Sequence, residues 1–450
     1  MSATFTLPPR PTASEPRPWH FPRFERRTLS NGLRLIVAPV HKLPVATVAV
    51  LVEAGATADP VGQDGVAQLT ARLMLEDTST REGAALTEAF ERLGATVEAH
   101  ADWDLATVSL TALTERLPAA MALLGEVLRD PAFPAREVER LKSERVADLL
   151  QLRSEPRGLA DETFAQVLYD ARSRFARPDG GRESDVEALT AGQVRDFYLA
   201  RYRPAGATCV IVGDVGVEEA AQLAESAFGS WTGEAPIAVQ ALVAPARTTR
   251  AVHLVSRPDA AQSELRLGHV GVERAHPDYF SILVMNAVLG GLFSSRINLN
   301  LRETHGYTYG ASSYFDWRRQ PGPFVVSTAV QSDVTAAAAR EALLEIDRMR
   351  AEPIEQEELT LATSYLDGVF PIRYETTHAI AAALSALVAF GLPEDYFDRY
   401  RERVRAVTVE HVLDAARRHL QPEAMQMLVV GNVDEIREGL QALAFGEVIE

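Results

Sequence analysis

The sequence predicts an α+β protein of two homologous domains, each a mostly antiparallel β-sheet packed with long α-helices. Three observations predict it. The segments LTAGQVRDFYLARYRPAGATCVIVGDV (residues 189–215) and VTVEHVLDAARRHLQPEAMQMLVVGNV (407–433) align without a gap at an offset of 218, so that Thr190, Pro204, Gly213 and Val215 meet Thr408, Pro422, Gly431 and Val433. Each half opens on two strand patterns, LRLIVAP and VATVAVLVEAG in the first, RAVHLV and SELRLGHVGV in the second. Each also carries one hairpin pattern, GATVEAHADWDLATVSLTAL (94–113) and GYTYGASSYFDWRRQPGPFVVSTAV (306–330). A repeat of this length marks domain duplication, not a solenoid.

The elements follow in order. Residues 1–24 form an N-terminal extension, rich in proline and without the basic and apolar regions of a signal peptide. The first domain, 25–230, continues from its opening strands into GVAQLTARLMLEDT (65–78), an amphipathic helix. After the hairpin comes the helical VERLKSERVADLL (138–150), then the first repeat copy: a capped helix, a proline-marked turn, a buried strand and a glycine turn. Residues 231–249 have proline and little periodicity, and read as a linker. In the second domain, 250–450, the segment AVLGGLFSSRINLNLRETHGYTYGASS (287–313) leads into the hairpin. Its Gly290-Gly291 pair lacks the lysine of a phosphate-binding loop and reads as a turn between helices. The apolar run AIAAALSALVAFGL (379–392) is too short to span a bilayer and suits a buried helix, and the second repeat copy closes the domain.

Composition narrows the function. With 450 residues, 47% of them hydrophobic and 24% charged, the chain reads as globular. Its formal charge of −17 argues against nucleic acid or an anionic membrane as partner, since both are bound through clustered Lys and Arg. Peptides or other proteins fit better, and the net acidity points to basic or neutral ones. The single cysteine, Cys209, lies in an apolar strand pattern and reads as a small buried residue, which permits a reducing compartment and suggests the cytoplasm.

The helix at 65–78 raises a specific question. A zinc helix of the H-x-x-E-H type puts two imidazoles one turn apart on one face, with a glutamate beside them to activate the zinc-bound water. Here the frame is kept and the three positions hold Gln68, Ala71 and Arg72. Gln68 is a poor zinc ligand, Ala71 cannot take a proton, and Arg72 carries a permanent cation. The third ligand in this frame is a carboxylate about 76 residues after the second histidine, which here is Asp148. An Arg72–Asp148 ion pair is therefore expected to fill the metal position, the alternative being a helix-surface pair between Arg72 and Glu76. None of the ten histidines stands three or four residues from another, so no second metal site is legible.

The short motifs G-G-x-x-S-S-R and R-E-x-x-G-x-x-Y in residues 290–309, with the altered helix, the helix around Asp148 and the duplicated domains, resemble the insulinase/pitrilysin family of zinc peptidases. The likeness is to its short-chain branch, with the mitochondrial processing peptidase and bacterial two-subunit enzymes, and runs from LSNGLRLIVAP to VVGNV. It implies that Arg302 and Tyr309 belong to an active site whose zinc is held by a first domain. Tyr309 would donate a hydrogen bond to the oxyanion of the tetrahedral intermediate, while Arg302 would contact substrate carbonyl oxygens. Phenol and guanidinium are both donors at neutral pH, as that role requires.

Keeping this pair while losing every zinc-site residue implies a division of labour. The chain resembles the non-zinc-binding subunit of bacterial two-subunit members, inactive alone, whose H-x-x-E-H partner carries the zinc. An extended peptide would then add to a sheet edge of the partner's first domain, inside a chamber of four homologous domains. A structural scaffold, or a peptide-binding subunit or homodimer without catalytic contribution, is the rival expectation.

Overall fold

The computed structural model describes residues 18–450; residues 1–17, most of the N-terminal extension, lie outside the described part. Strands β1 (Glu25–Thr28), β2 (Arg34–Pro39), β3 (Val45–Val52), β4 (Thr96–Ala101), β5 (Ala106–Leu113) and β6 (Thr208–Gly213) form one sheet in the order β1-β2-β6-β3-β5-β4. Strands β7 (Ala251–Ser256), β8 (Gln262–Val270), β9 (Ala311–Phe315), β10 (Pro323–Gln331), β11 (Gln426–Gly431) and β12 (Glu447–Ile449) form the other, in the order β12-β7-β11-β8-β10-β9. Five strands of each sheet occupy equivalent places, and β1 and β12 take the same edge from opposite ends of the chain. Pairing is antiparallel except at β2-β6, β7-β11 and β12-β7.

The repeat folds as its sequence requires. Thr190 and Thr408 cap the helices Ala191–Arg201 and Val409–His419, each hydroxyl accepting from the backbone N–H three residues on. Pro204 and Pro422 then start single 3₁₀ turns that feed β6 and β11. All six residues of each strand are buried, Cys209 among them, because both sheet faces are covered at the centre.

The covering helices are exchanged between the halves. One face of the first sheet packs under the first half's own helices, while its other face receives the helix Thr377–Phe390 of the second half, laid across β3 and β6. In return the helix Pro156–Leu168 of the first half lies across β8 and β11, burying Ala160, Phe164 and Leu168 against Val325, Leu428 and Val430. Each fully buried Leu or Phe contributes about 1.5–3 kcal/mol, so these two helices bind the halves strongly. Hydrogen bonds follow the same seam: Thr47 to Thr377 at 2.9 Å, and Arg319 to Glu53 at 3.0 Å.

Two segments are more ordered than their sequences suggest. Trp19 and Phe21, in the extension, pack edge-on and stacked on Phe370 and Phe397 of the second half, with ring centroids 5.4 and 4.5 Å apart. The 231–249 segment is pinned by its backbone, Asp170 N–H donating to Ala244 O and Ala246 N–H to Leu168 O. Among the described residues one helical stretch, Tyr279–Thr304, has the length and apolarity to cross a membrane, and over half of its most apolar window is buried inside the protein. Gly290 and Gly291 close its first part in a π turn before the break at 292–295, a turn between helical segments as expected. A Cβ on Gly290 would strike Ser313 of β9, so glycine there lets helix and strand approach.

Candidate functional site

Arg302 sits in a π turn, Leu299–Thr304, that continues the short helix Arg296–Asn298. Ile297 and Leu301 are buried and anchor this turn in the core. Asn300 donates to Glu345 at 2.8 Å, and Asn298 accepts from Ala311 N–H at 3.0 Å, tying the turn to the start of β9. π turns recur at functional sites because the extra residue redirects side chains. Here the Arg302 guanidinium lies 4.5 Å from the ring centre of the exposed Phe293, with Glu303 at 3.5 Å. Its Nη1 is buried without a hydrogen bond.

The chain turns at Gly306, whose φ of 68° favours glycine, and reaches Tyr309. Thr308 Oγ1 donates to Ala329 O at 2.7 Å and accepts from Gly310 N–H at 3.1 Å, while Thr328 Oγ1 donates to Gly310 O at 3.1 Å. The backbone on either side of Tyr309 is thus fixed to β10, yet the tyrosine itself is 93% exposed. Arg302 and Tyr309 line one pocket of about 390 Å³ together with Gln262, Glu303, Tyr307 and Gln331. The sequence spacing brings this pair together; Phe293, the platform under Arg302, carried no signal beyond being an apolar residue.

The altered metal helix, Val66–Leu73, lies in the other half. Its first turn is capped from a distance, Asp59 accepting from Gly65 N–H at 2.7 Å and Ala67 N–H at 3.0 Å. Arg174 holds the same carboxylate at 2.8 Å, and burial pushes the Asp59 carboxyl up to about 6 against the pull of Arg174 and these two N–H groups. The loop at 178–181 lies directly on this turn, where a Cβ on Gly65 or Gly181 would strike the facing backbone.

The expected Arg72–Asp148 ion pair does not form. Arg72 reaches Glu144 at 3.1 Å, one turn before Asp148 on the helix Ala135–Ser154, and Glu76 is taken by Arg140 at 2.7 Å. Asp148 is exposed and has no ion pair among the described residues. Arg72 is satisfied by Glu144 instead, and the second cation at this helix is Arg145, three residues before Asp148. A Cβ on Gly180 would collide with both Arg145 Nη2 and the Gln68 amide oxygen, so the guanidinium lies beside Gln68, with Nε donating to Gly180 O at 3.3 Å. Burial lowers the pKa of Arg145, opposed by Asp179 and Asp148 and reinforced by the charge of Arg72. Ala71 is fully buried. This donor set does not fit zinc: one amide, a methyl group and two guanidinium ions offer no pair of nitrogen ligands and repel a dication.

Among the described residues, one other group brings metal-binding atoms together, His276, Asp278 and His419, within 4.8 Å of one another. The spacing of histidines along the chain could not show it. Asp278 Oδ2 is already met by His419 Nε2 at 2.7 Å and by Arg418 at 2.5 Å, so the group is an ion-pair junction at the start of the helix Tyr279–Asn286. No hydrogen bond or ion pair among the described residues joins Arg302 or Tyr309 to the Val66–Leu73 helix.

Two family models match in tandem. The one described as insulinase, peptidase family M16, matches residues 36–171, and the one described as peptidase M16 inactive domain matches residues 188–366. An uncharacterized zinc protease of Mycobacterium bovis is 25% identical over 94% of this chain and 96% of its own. A probable mitochondrial-processing peptidase subunit beta of Schizosaccharomyces pombe is 28% identical over 60% of this chain and 59% of its own. Among solved structures, a peptidase M16 inactive domain from Pseudomonas fluorescens superposes with a TM-score of 0.85 at 25% identity, over 91% of this chain and 98% of that one. A protease from Helicobacter pylori shares the fold, with a TM-score of 0.84 at 17% identity over 92% of this chain and 100% of that one.

Proposed function

The chain belongs to the insulinase family of peptidases, M16, and from that premise we propose that it is the non-zinc-binding subunit of a two-subunit zinc endopeptidase. The observation that carries this reading is a contrast. Tyr309 is held out to solvent on a fixed backbone beside Arg302, while the metal helix of the same chain holds Gln68, Ala71, Arg72 and the neighbouring Arg145. A peptidase homologue without its own metal donors has use for such a pair only across an interface. The partner is a homologous H-x-x-E-H subunit, which would hold zinc, and the substrate is a peptide or unfolded protein.

In that complex Tyr309 donates its phenolic proton as a hydrogen bond to the oxygen that gains charge as the scissile carbonyl is attacked. Arg302, held over Phe293, donates to neighbouring carbonyl oxygens and sets the peptide's register. Tyr309 faces water in the lone chain and Arg302 is partly exposed, so their interaction with a developing charge is screened. Docking of the partner removes that water and strengthens each bond, so the chain alone is inactive. The buried Cys209 needs no oxidising compartment, and a cytoplasmic location belongs to the same proposal.

The test is reconstitution. Zinc content and cleavage of a quenched-fluorescent peptide library are measured for this chain, for an H-x-x-E-H paralogue from the same genome, and for the two together. Activity is expected only in the mixture, and Tyr309→Phe is expected to lower kcat about 10²–10³-fold with a smaller change in KM. Stable association with kcat indifferent to Tyr309 and Arg302 would instead identify a scaffold or peptide-binding subunit. Zinc-dependent cleavage by this chain alone would overturn the reading of the metal helix.

A further inference from the structure

Tyr309 separates two pockets. Beyond the one it shares with Arg302 lies a second, of about 210 Å³, between the edge of the second sheet and the start of the Pro156–Leu168 helix, lined by Arg157, Glu264, Ser312 and Ser327 among others. Cross-strand register puts Arg266, Ser327 and Ser312 in one row across β8, β10 and β9, and therefore on one face of the sheet. This row is rich in unspent donors. Neither serine hydroxyl has a hydrogen-bond partner within the described protein, and Arg266, itself 0% exposed, keeps Nη2 buried and unbonded.

The charges here are unequally matched. Arg266 already bonds Glu264 at 2.9 Å and Asp161 at 2.6 Å, so both carboxylates have a cation. Arg157 is exposed and has no ion pair among the described residues. A lone cation beside free hydroxyls attracts a carboxylate more than an ammonium. The pocket's location gives the ligand its context: a peptide whose carbonyl oxygens lie on Arg302 and Tyr309 passes its mouth, and the volume suits a single side chain.

Building on the composite-peptidase reading, we propose that this pocket is a specificity subsite for an acidic side chain of the substrate, with Arg157 as its charge partner and Ser312 and Ser327 as hydrogen-bond donors. The preference is local and runs against the chain's overall acidity, because charges on distant faces are screened beyond about 8–10 Å.

Peptides carrying Glu, Gln or Lys in turn at each position flanking the cleaved bond are compared in the reconstituted complex by kcat/KM. At one position Glu is expected to exceed Lys about tenfold, with Gln between them. Arg157→Gln should flatten the ratio and Arg157→Glu should invert it, while Ser312→Ala should lower the Glu rate alone; Arg157 is exposed, so these variants are expected to fold. An unchanged ratio in Arg157→Glu, or indifference at every position, overturns the subsite. If Tyr309→Phe lowers kcat while the ratios stay flat, the subsite fails and the composite site stands. The same labelled peptides are titrated against the chain alone by fluorescence anisotropy, which tests the pocket without a partner. Tighter binding of Glu than Lys peptides, lost in Arg157→Gln, supports it, and equal binding opposes it.

Discussion

His269 is held in its neutral form by two hydrogen bonds. It lies on β8, 2% exposed, with Nδ1 donating to Val270 O at 2.9 Å and Nε2 accepting from Gln421 N–H at 3.1 Å. Only the neutral ring can make both bonds. Burial, with the nearby His419, pushes its pKa from the ordinary value near 6.5 down to about 4. The unfolded chain therefore takes up a proton between pH 6.5 and about 4 that the folded chain refuses. The stabilisation is complete above pH 6.5 and falls by about 3 kcal/mol as the pH drops through that window. Urea midpoints measured from pH 7 to 4 should fall less steeply for His269→Gln than for the natural protein, and parallel slopes would sink the assignment. The same scale applies to Tyr309 and Arg302: the family resemblance singled them out, and the structure adds that Tyr309 is exposed on a backbone fixed to β10.

At the scale of the element, the metal helix was legible in what it lacks and not in what replaces it. Gln68, Ala71 and Arg72 declare the loss, whereas the cation beside Gln68 comes from Arg145 on another helix. That placement depends on the crossing of two helices and on Gly180, which leaves room for the guanidinium. A re-ligated helix tests it. Gln68→His, Ala71→Glu and Arg72→His together, with Asp148 as third ligand, should bind zinc weakly while Arg145 remains. Adding Arg145→Leu should raise the affinity at least tenfold in a competition titration with a chromophoric chelator, as expected from removing a like charge at close range. Equal affinity with and without Arg145 would show that the guanidinium does not guard the position. The repeat helices are the opposite case: Thr190 and Thr408, Pro204 and Pro422 specify caps and turns locally, so sequence sufficed.

At the scale of the whole molecule, the linear division at 230 and 250 does not divide the core. Ile36, Ala49, Leu51 and Val210 of the first sheet share one hydrophobic cluster with Leu384 and Leu387 of the second half, and another cluster joins Phe164 to Leu428. Calorimetry should accordingly record one cooperative transition, and two separable transitions would mean that the exchanged helices contribute little. The sequence by itself determined the duplication, the strands and hairpins, the absence of His and Glu at positions 68, 71 and 72, and the spacing of Arg302 and Tyr309, because each is written in local pattern or fixed spacing. Only the tertiary structure decided which helix covers which sheet, that Arg72 meets Glu144 and not Asp148, and that Ser312, Ser327 and Arg157 gather beside Tyr309. The helix placements, the Arg72–Glu144 pair and the approach of Arg157 to the 309–327 hairpin depend on contacts between residues more than 70 apart in the chain, which sequence periodicity does not encode.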